Sequence, residues 1–201
     1  SAIDGRDNPT LSVFHDGRVI DSIDAKGNKT HTEYFQSGES RGKVDYVEDA
    51  LGNRTYTRYY PANDPSGNPA GSVSQTFLLE KPANGAYDPD NTSLRRNWTK
   101  TQYYANGLVK STESTRTGHN AIAPPNNLVT NTVKTEYEYD AQGRATRTKQ
   151  TPSDNPFTPD VNESLNPELH ATTQKYNALG KVEESIDKYG RSTRYYYDRR
   201  G

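Results

Sequence analysis

Polar and apolar residues alternate with a period of two in several short segments of the chain. Thr135–Tyr139 alternates Thr and Tyr with Glu, and Lys29–Tyr34 places Thr and Tyr together on one side. This period is typical of a β-strand, because successive side chains of a strand point to opposite faces. Asn53–Tyr60 and Arg191–Tyr197 are similar but carry aromatic rings on both faces. No segment sustains the i, i+3, i+4 apolar spacing of a helix, so the pattern predicts β-strands.

Glycines separate these segments at spacings of 10 or 11 residues, as in Gly17 and Gly27 or Gly42 and Gly52. Most follow an Asp or Asn three residues earlier. The Asp or Asn side chain can accept hydrogen bonds from the backbone ahead, and Gly can take the left-handed conformation that closes the turn. Turns this frequent leave strands of about 20 Å and predict an antiparallel meander. The predicted turn residues are Asp24, Gly27, Asp49, Gly52, Asp140, Gly143, Asn177, Gly180, Asp187, Gly190, Asp198 and Gly201.

Three segments rich in Pro, Gly and Asn interrupt the pattern, at about residues 61–97, 118–131 and 151–171. Such composition is typical of loops, and these loops are predicted to be inserted between hairpins. Val73–Leu79 is predicted to form a strand inside the first of them. The composition does not change between the two halves of the chain. We therefore predict an all-β fold in which residues 1–201 form one array of hairpins.

The composition is that of a polar chain with few hydrophobic residues to form a core. Hydrophobic residues make up 29% of the 201 residues, while 15 Tyr supply aromatic surface. The formal net charge is only -1, which gives no basic footprint for nucleic acid. No apolar run approaches the length of a membrane span. The absence of Cys excludes disulfides and thiolate zinc sites.

No combination of residues predicts catalysis, a metal or a cofactor. The four histidines, His15, His31, His119 and His170, lie in no closely spaced ligand motif. The repeated Asp residues recur with the turns, which favours a turn role over a single catalytic pair. There is no nucleophile elbow, phosphate-binding loop or dinucleotide fingerprint. The sequence predicts a protein that is not an enzyme.

Aromatic side chains are the remaining candidates for binding. Exposed Tyr and Trp rings could stack on sugars or contact a partner protein, although packing between sheets is the favoured explanation, because strands of such a sheet bury one face. The candidates are Trp98, Tyr103, Tyr104, Tyr195, Tyr196 and Tyr197.

The turn motif resembles the YD repeat, also called the RHS repeat. The nearest matches to its Y-D-x-x-G-R pattern are Tyr139–Arg144 and Tyr176–Gly201. Asp24–Tyr34 and Asp49–Tyr59 match the second half-repeat, in which D-A-x-G-N-x-T leads into a Tyr-bearing strand. The resemblance covers about two thirds of the chain and leaves the inserted loops outside it.

This resemblance implies a spiralling β-sheet built from hairpins. In bacterial RHS proteins, which include polymorphic toxins, and in the B/C components of Tc toxins, such sheets close into a shell around a toxic C-terminal domain. In teneurins a similar shell belongs to an adhesion receptor. By resemblance the chain is a structural segment of a shell in a larger secreted or cell-surface protein, bacterial in origin. A carbohydrate- or cell-surface-binding module is the alternative.

The resemblance also implies partners. These are the remainder of the shell polypeptide and its enclosed toxin domain, with a glycan as a further candidate. Open strand edges are predicted to pair with other chains. Asp64-Pro65-Ser66-Gly67 resembles the self-cleavage boundary of the family, but Asn68 replaces its Leu and more repeats follow, so a turn is predicted there.

Overall fold

The computed structural model describes residues 2–3, 9–119, 128–150 and 171–198. Contacts divide the chain into two compact units, Ser1–Lys100 and Thr101–Gly201. The composition, which is uniform along the chain, gave no sign of this division. Regular structure in the described residues consists of β-strands and a single 3-10 turn, Thr92–Leu94. The predicted all-β class is confirmed.

The first unit is an antiparallel meander. Each strand pairs with the next one in the sequence, as expected where a short turn joins neighbouring strands. The strands are β1 (Ala2–Ile3), β2 (Pro9–His15), β3 (Arg18–Ile23), β4 (Lys29–Tyr34), β5 (Val44–Glu48), β6 (Arg54–Tyr59), β7 (Val73–Leu79) and β8 (Arg96–Tyr103), whose last residues belong to the second unit.

The second unit has the same antiparallel pairing between successive strands. Its longest ladder runs from Leu128 opposite His119 to Glu136 opposite Ser111. The strands are β9 (Val109–His119), β10 (Leu128–Tyr139), β11 (Ala145–Gln150), β12 (Ala171–Tyr176), β13 (Val182–Ile186) and β14 (Ser192–Arg194). The predicted hairpin meander is confirmed.

The strands reach further into the predicted loops than the sequence suggested. The strand predicted at Val73–Leu79 is confirmed as β7, and β8 begins at Arg96, inside the loop predicted at 61–97. β9 and β10 enter the loop predicted at 118–131 from both sides, because their ladder continues to Leu128 and His119. Residues 120–127 and 151–170 of the predicted loops lie outside the described residues.

Alternate hairpins contain a bulge. The register shifts by one residue in β2–β3, β4–β5, β6–β7, β10–β11 and β12–β13, each time near the turn, and it also shifts between β7 and β8, which a longer connection joins. The hairpins β3–β4, β5–β6 and β13–β14 keep a regular register. The tyrosine contacts described below cross the regular pairs β3–β4, β5–β6, β11–β12 and β13–β14, and so connect neighbouring bulged hairpins.

The hydrophobic core of the described residues is small and lies in the first unit. It consists of Tyr56, Phe77 and Leu79, with Tyr46, Tyr87 and Trp98 packed against it. Tyr56 stacks on Phe77 with ring centroids 5.4 Å apart. Residues 80–95 connect β7 to β8 and bring Tyr87 and Arg95 to this cluster. No helix among the described residues has the length and apolarity to span a membrane.

Candidate functional site

The predicted turn carboxylates are bound to their own turns. Oδ1 of Asp24 accepts hydrogen bonds from the backbone N–H of Lys26 and Asn28, at 2.8 and 2.9 Å, and Oδ2 accepts from Nδ2 of Asn28 at 2.8 Å. Asp49 makes the same three contacts with Leu51 and Asn53. The amides of Asn28 and Asn53 hold the pKa of Asp24 and Asp49 below its ordinary value. These ionised, occupied carboxylates are suited to fixing turns.

The remaining predicted turns follow the same design. Asp140, Asn177 and Asp187 each accept backbone hydrogen bonds from the second and fourth residues after them. The closing glycines have positive φ, for example +83° at Gly27 and Gly52. Asp64 also caps a turn, accepting from the N–H of Ser66 and Asn68, both at 3.1 Å. Asp198 is the last described residue, and Gly201 lies outside the described residues.

Some turn glycines also touch the preceding repeat. A Cβ added to Gly42 would lie 2.5 Å from Nη2 of Arg18. Lys43 reaches the following turn in the same way, and its Nζ donates to the Gly71 carbonyl at 2.7 Å. In the second unit Leu108 lies against Gly143 and Arg144 against Gly180. The residue after one turn glycine therefore packs on the turn glycine of the next bulged hairpin.

At four strand pairs, a tyrosine hydroxyl donates a hydrogen bond to a backbone carbonyl of the neighbouring strand. Tyr34 donates to the Val19 carbonyl at 2.9 Å, and Tyr59 donates to the Val44 carbonyl at 3.1 Å. Tyr176 and Tyr197 donate to the carbonyls of Ala145 and Val182, both at 2.8 Å. We call these contacts the tyrosine latches.

Each latch is covered by a cation. The residue before the accepting carbonyl is basic, and its charge lies over the latched ring: Arg18 on Tyr34, Lys43 on Tyr59, Arg144 on Tyr176 and Lys181 on Tyr197, at 4.5 to 5.4 Å from the centroid. Such cation–π contacts add roughly 0.5–1 kcal/mol each at exposed sites. This arrangement was not predicted from the sequence, although a Gly-Arg/Lys-Val/Ala segment followed by a distant Tyr marks each latch.

Most of the predicted binding aromatics have structural contacts. Trp98 packs on the core of the first unit. Tyr104 donates to the Tyr137 carbonyl at 3.0 Å and meets Tyr139 edge to face. Tyr103 is half-buried. Tyr197 is latched, which leaves Tyr195 and Tyr196 as the candidates that face an open space.

That space is a half-open cleft of about 360 Å³ in the second unit. Tyr196, which lines this cleft, is 88% exposed. The backbone N–H of Tyr195 donates to the Glu183 carbonyl at 2.9 Å, which fixes the start of this segment against β13. The lining residues are Lys175, Glu183, Glu184, Arg194, Tyr195 and Tyr196. An exposed ring beside charged groups can stack on and hydrogen-bond a polar ligand.

Glu184 organises the floor of the cleft. Its Oε2 accepts from Nζ of Lys175 at 2.6 Å, and its Oε1 accepts from Oγ of Ser192 at 2.6 Å. These contacts, with Arg194 at 3.5 Å, lower the pKa of Glu184 to about 2. Because Glu184 stays ionised at neutral pH, it is suited to positioning β14 and not to donating a proton.

The histidines do not form a cluster. Nδ1 of His31 lies 2.8 Å from Asp21, and its Nε2 lies 3.5 Å from Glu33. His15 lies 3.5 Å from Asp16 at the surface. The His119 side chain and His170 are outside the description. Within the described ranges, no three His, Asp or Glu side chains come together as a metal site would require.

Comparisons with known proteins give structural neighbours only. No protein-family model matches the chain, and no curated protein matches it. Its solved neighbours include TcdB2-TccC3-Cdc42, TcdB2-TccC3-TEV and TcdB2-TccC3 without its hypervariable C-terminal region. Identity is 13% in each case, with TM-scores of 0.27, 0.29 and 0.27. The chain is covered to 88% in these matches, and it spans 12% of the length of each neighbour.

Proposed function

We propose that this chain is a non-enzymatic segment of a YD/RHS-type wall that encloses a C-terminal toxin or cargo domain of a larger secreted protein. The observation that carries the proposal is the contact between successive bulged hairpins. Arg18 packs on Gly42 and Lys43 packs on Gly71, so the same step is repeated along the first unit. A repeated step of this kind extends a sheet without requiring a large core at every strand.

The mechanism of such a wall is containment. Hydrogen-bonded strands supply a continuous surface, while the four latches hold neighbouring hairpins together. A wall with few apolar positions gives an enclosed chain little surface on which to build its own core. The partners in this proposal are the remainder of the wall and the enclosed domain.

The test uses the full-length polypeptide that contains these residues. Limited proteolysis should spare the domain C-terminal to the repeats and digest the same domain when it is expressed alone. Equal digestion of both forms, or the lack of any such domain, contradicts the proposal.

A matched pair of variants links this protection to the wall. Gly42→Val should expose the domain more than Gly27→Val. Both glycines have φ of about +80°, but only Gly42 lies against the preceding repeat. Equal protection in the two variants would show that the contact between Arg18 and Gly42 is not needed to protect the domain.

The cleft beside Tyr196 favours a second candidate function, the binding of a glycan or cell-surface partner. A flat exposed ring and neighbouring charged groups are the features that a polar sugar requires. Glycan-array binding should be saturable and lost in Tyr196→Ala. Tyr34→Phe, which alters a latch far from the cleft in sequence, is the control. Binding that survives Tyr196→Ala excludes this site.

A further inference from the structure

The cleft beside Tyr196 has an excess of positive charge on one side of the sheet. Lys175, Glu184 and Arg194 are paired across β12, β13 and β14, so their side chains share a face. Glu183 also lines the cleft, but it precedes Glu184 in β13, so its side chain points to the opposite face. The shared face therefore presents two cations and one carboxylate to the cleft.

Glu184 positions the two cations and has no oxygen left for another contact. Its side chain is 12% exposed. Its Oε2 accepts from Lys175 and its Oε1 accepts from Ser192, both at 2.6 Å, and Nε of Arg194 approaches the same Oε1 at 3.5 Å. One carboxylate cannot neutralise two cations, so a positive charge remains at the cleft.

Arg194 turns the free end of its guanidinium toward solvent. Its contact with Glu184 is made through Nε, and its side chain is 70% exposed. Neither Nη1 nor Nη2 of Arg194 makes a hydrogen bond with another residue in the described part of the chain. Arg191 is the contrasting case, because it is 74% exposed but its Nη2 lies 2.6 Å from Asp187. The two terminal nitrogens of Arg194 are thus available to an anion.

Tyr196 supplies a different kind of contact beside this guanidinium. The pairing of β14 continues to Tyr195, whose N–H donates to the Glu183 carbonyl at 2.9 Å. Because side chains alternate along an extended segment, Tyr196 falls on the side of Arg194. The exposed ring can stack on the apolar face of a sugar, while a guanidinium binds an anionic group through two parallel hydrogen bonds.

We propose that the cleft takes an acidic sugar, with the anionic group on Nη1 and Nη2 of Arg194 and the sugar ring on Tyr196. This rests on the second candidate function, glycan binding, and names the class of its ligand. A cationic sugar would meet two like charges, those of Lys175 and Arg194. A neutral sugar would use the ring and leave the two terminal nitrogens unused.

The dimensions and exposure of the cleft set the expected strength. Its volume of about 360 Å³ is at the small end of ligand sites, which suits about one or two sugar units. Its cations are exposed, and exposed ion pairs are weak, so a single sugar should bind with Kd on the order of 1–10 mM.

Titration of the chain with matched monosaccharides, followed by amide NMR shifts, tests the ligand class. Glucuronate should shift the amides of Ser192–Tyr196 with an affinity roughly fivefold above that of glucose, and glucosamine should bind more weakly than glucose. Raising NaCl from about 0.05 to 0.5 M should reduce the advantage of glucuronate. Glucose 6-sulfate shows whether the anion can be a sulfate as well as a carboxylate.

Variants assign the two contacts. Arg194→Gln should remove the preference for glucuronate over glucose, and Tyr196→Ala should weaken both sugars. Arg191→Gln is the matched control, since it removes an equally exposed charge whose Nη2 is already occupied, and it should leave the preference unchanged.

The failures of the two proposals are distinguishable. Equal affinities for glucose and glucuronate, both lost in Tyr196→Ala, overturn the acidic preference and keep the glycan site. The absence of any shift with these sugars overturns both. A preference that Arg191→Gln removes as fully as Arg194→Gln is a response to overall charge, and it overturns the assignment to Arg194.

Discussion

The two units use the same hairpins but bury different side chains. In the first unit Tyr56, Phe77 and Leu79 are at most 4% exposed. In the second unit the buried residues among those described are Ser111 and Thr115, at 6% and 5%. The first unit therefore combines ladders and latches with a small aromatic core, whereas the second depends on polar contacts. A sheet of this type therefore does not need a conventional hydrophobic core in every part.

The largest expected effect comes from removing the centre of the aromatic core. Phe77 is 1% exposed and stacks on Tyr56. Phe77→Ala should destabilise the first unit by about 3–5 kcal/mol, the usual range for a buried Phe. Hydrogen exchange should show faster opening of β5–β7 and little change in β10–β13. Equal acceleration in both units would mean that they unfold as one.

The next effect separates backbone strain from contact between repeats. Gly27 and Gly42 both have φ near +80°, but only Gly42 lies against Arg18. Replacing either by Ala should cost about 1–2 kcal/mol for the left-handed backbone. Gly42→Ala should cost more than Gly27→Ala in urea denaturation, because Arg18 must also move. Equal losses would show that the inter-repeat contact adds no stability.

Removing a latch should have a smaller effect, and a similar one in both units. Tyr59→Phe and Tyr176→Phe each delete a hydrogen bond to a carbonyl and should cost about 0.5–1.5 kcal/mol. Tyr196→Phe, at a ring that is 88% exposed, should leave the free energy of unfolding unchanged. A loss confined to Tyr59→Phe would indicate that the latch depends on the nearby core.

The smallest effect is a local response of the second unit to acid. Contacts to Lys175 and Ser192 lower the pKa of Glu184 from 4.5 to about 2. A carboxyl whose pKa is lower in the folded state stabilises that state above pH 4.5, and this contribution is lost as the pH falls toward 2. The amides of Ser192–Arg194 should therefore lose protection between pH 4.5 and 2.

Glu184→Gln is the control for this acid response. It should abolish the pH dependence of β14 protection, because the amide does not titrate in this range. Persistence of the same pH dependence in that variant would assign it to other carboxylates.

The sequence predicted the strands and turns well because both depend on local chemistry. An Asp three residues before a Gly is sufficient to specify the turns at Asp24 and Asp49, whose contacts lie within four residues. The core was not foreseen, because it depends on residues 80–95 returning to the sheet. The Tyr59 latch was also missed, since its acceptor lies 15 residues away and a carbonyl has no sequence signature.

The latch of Tyr176 has a practical consequence for engineering. Its acceptor, Ala145, is 31 residues away, compared with 15 for Tyr34, Tyr59 and Tyr197. One connection between latched strands thus accommodates 16 additional residues while its ends remain joined. A latched strand pair can therefore accept additional residues between its strands, such as an epitope tag, since the cost of closing a loop grows only slowly with its length.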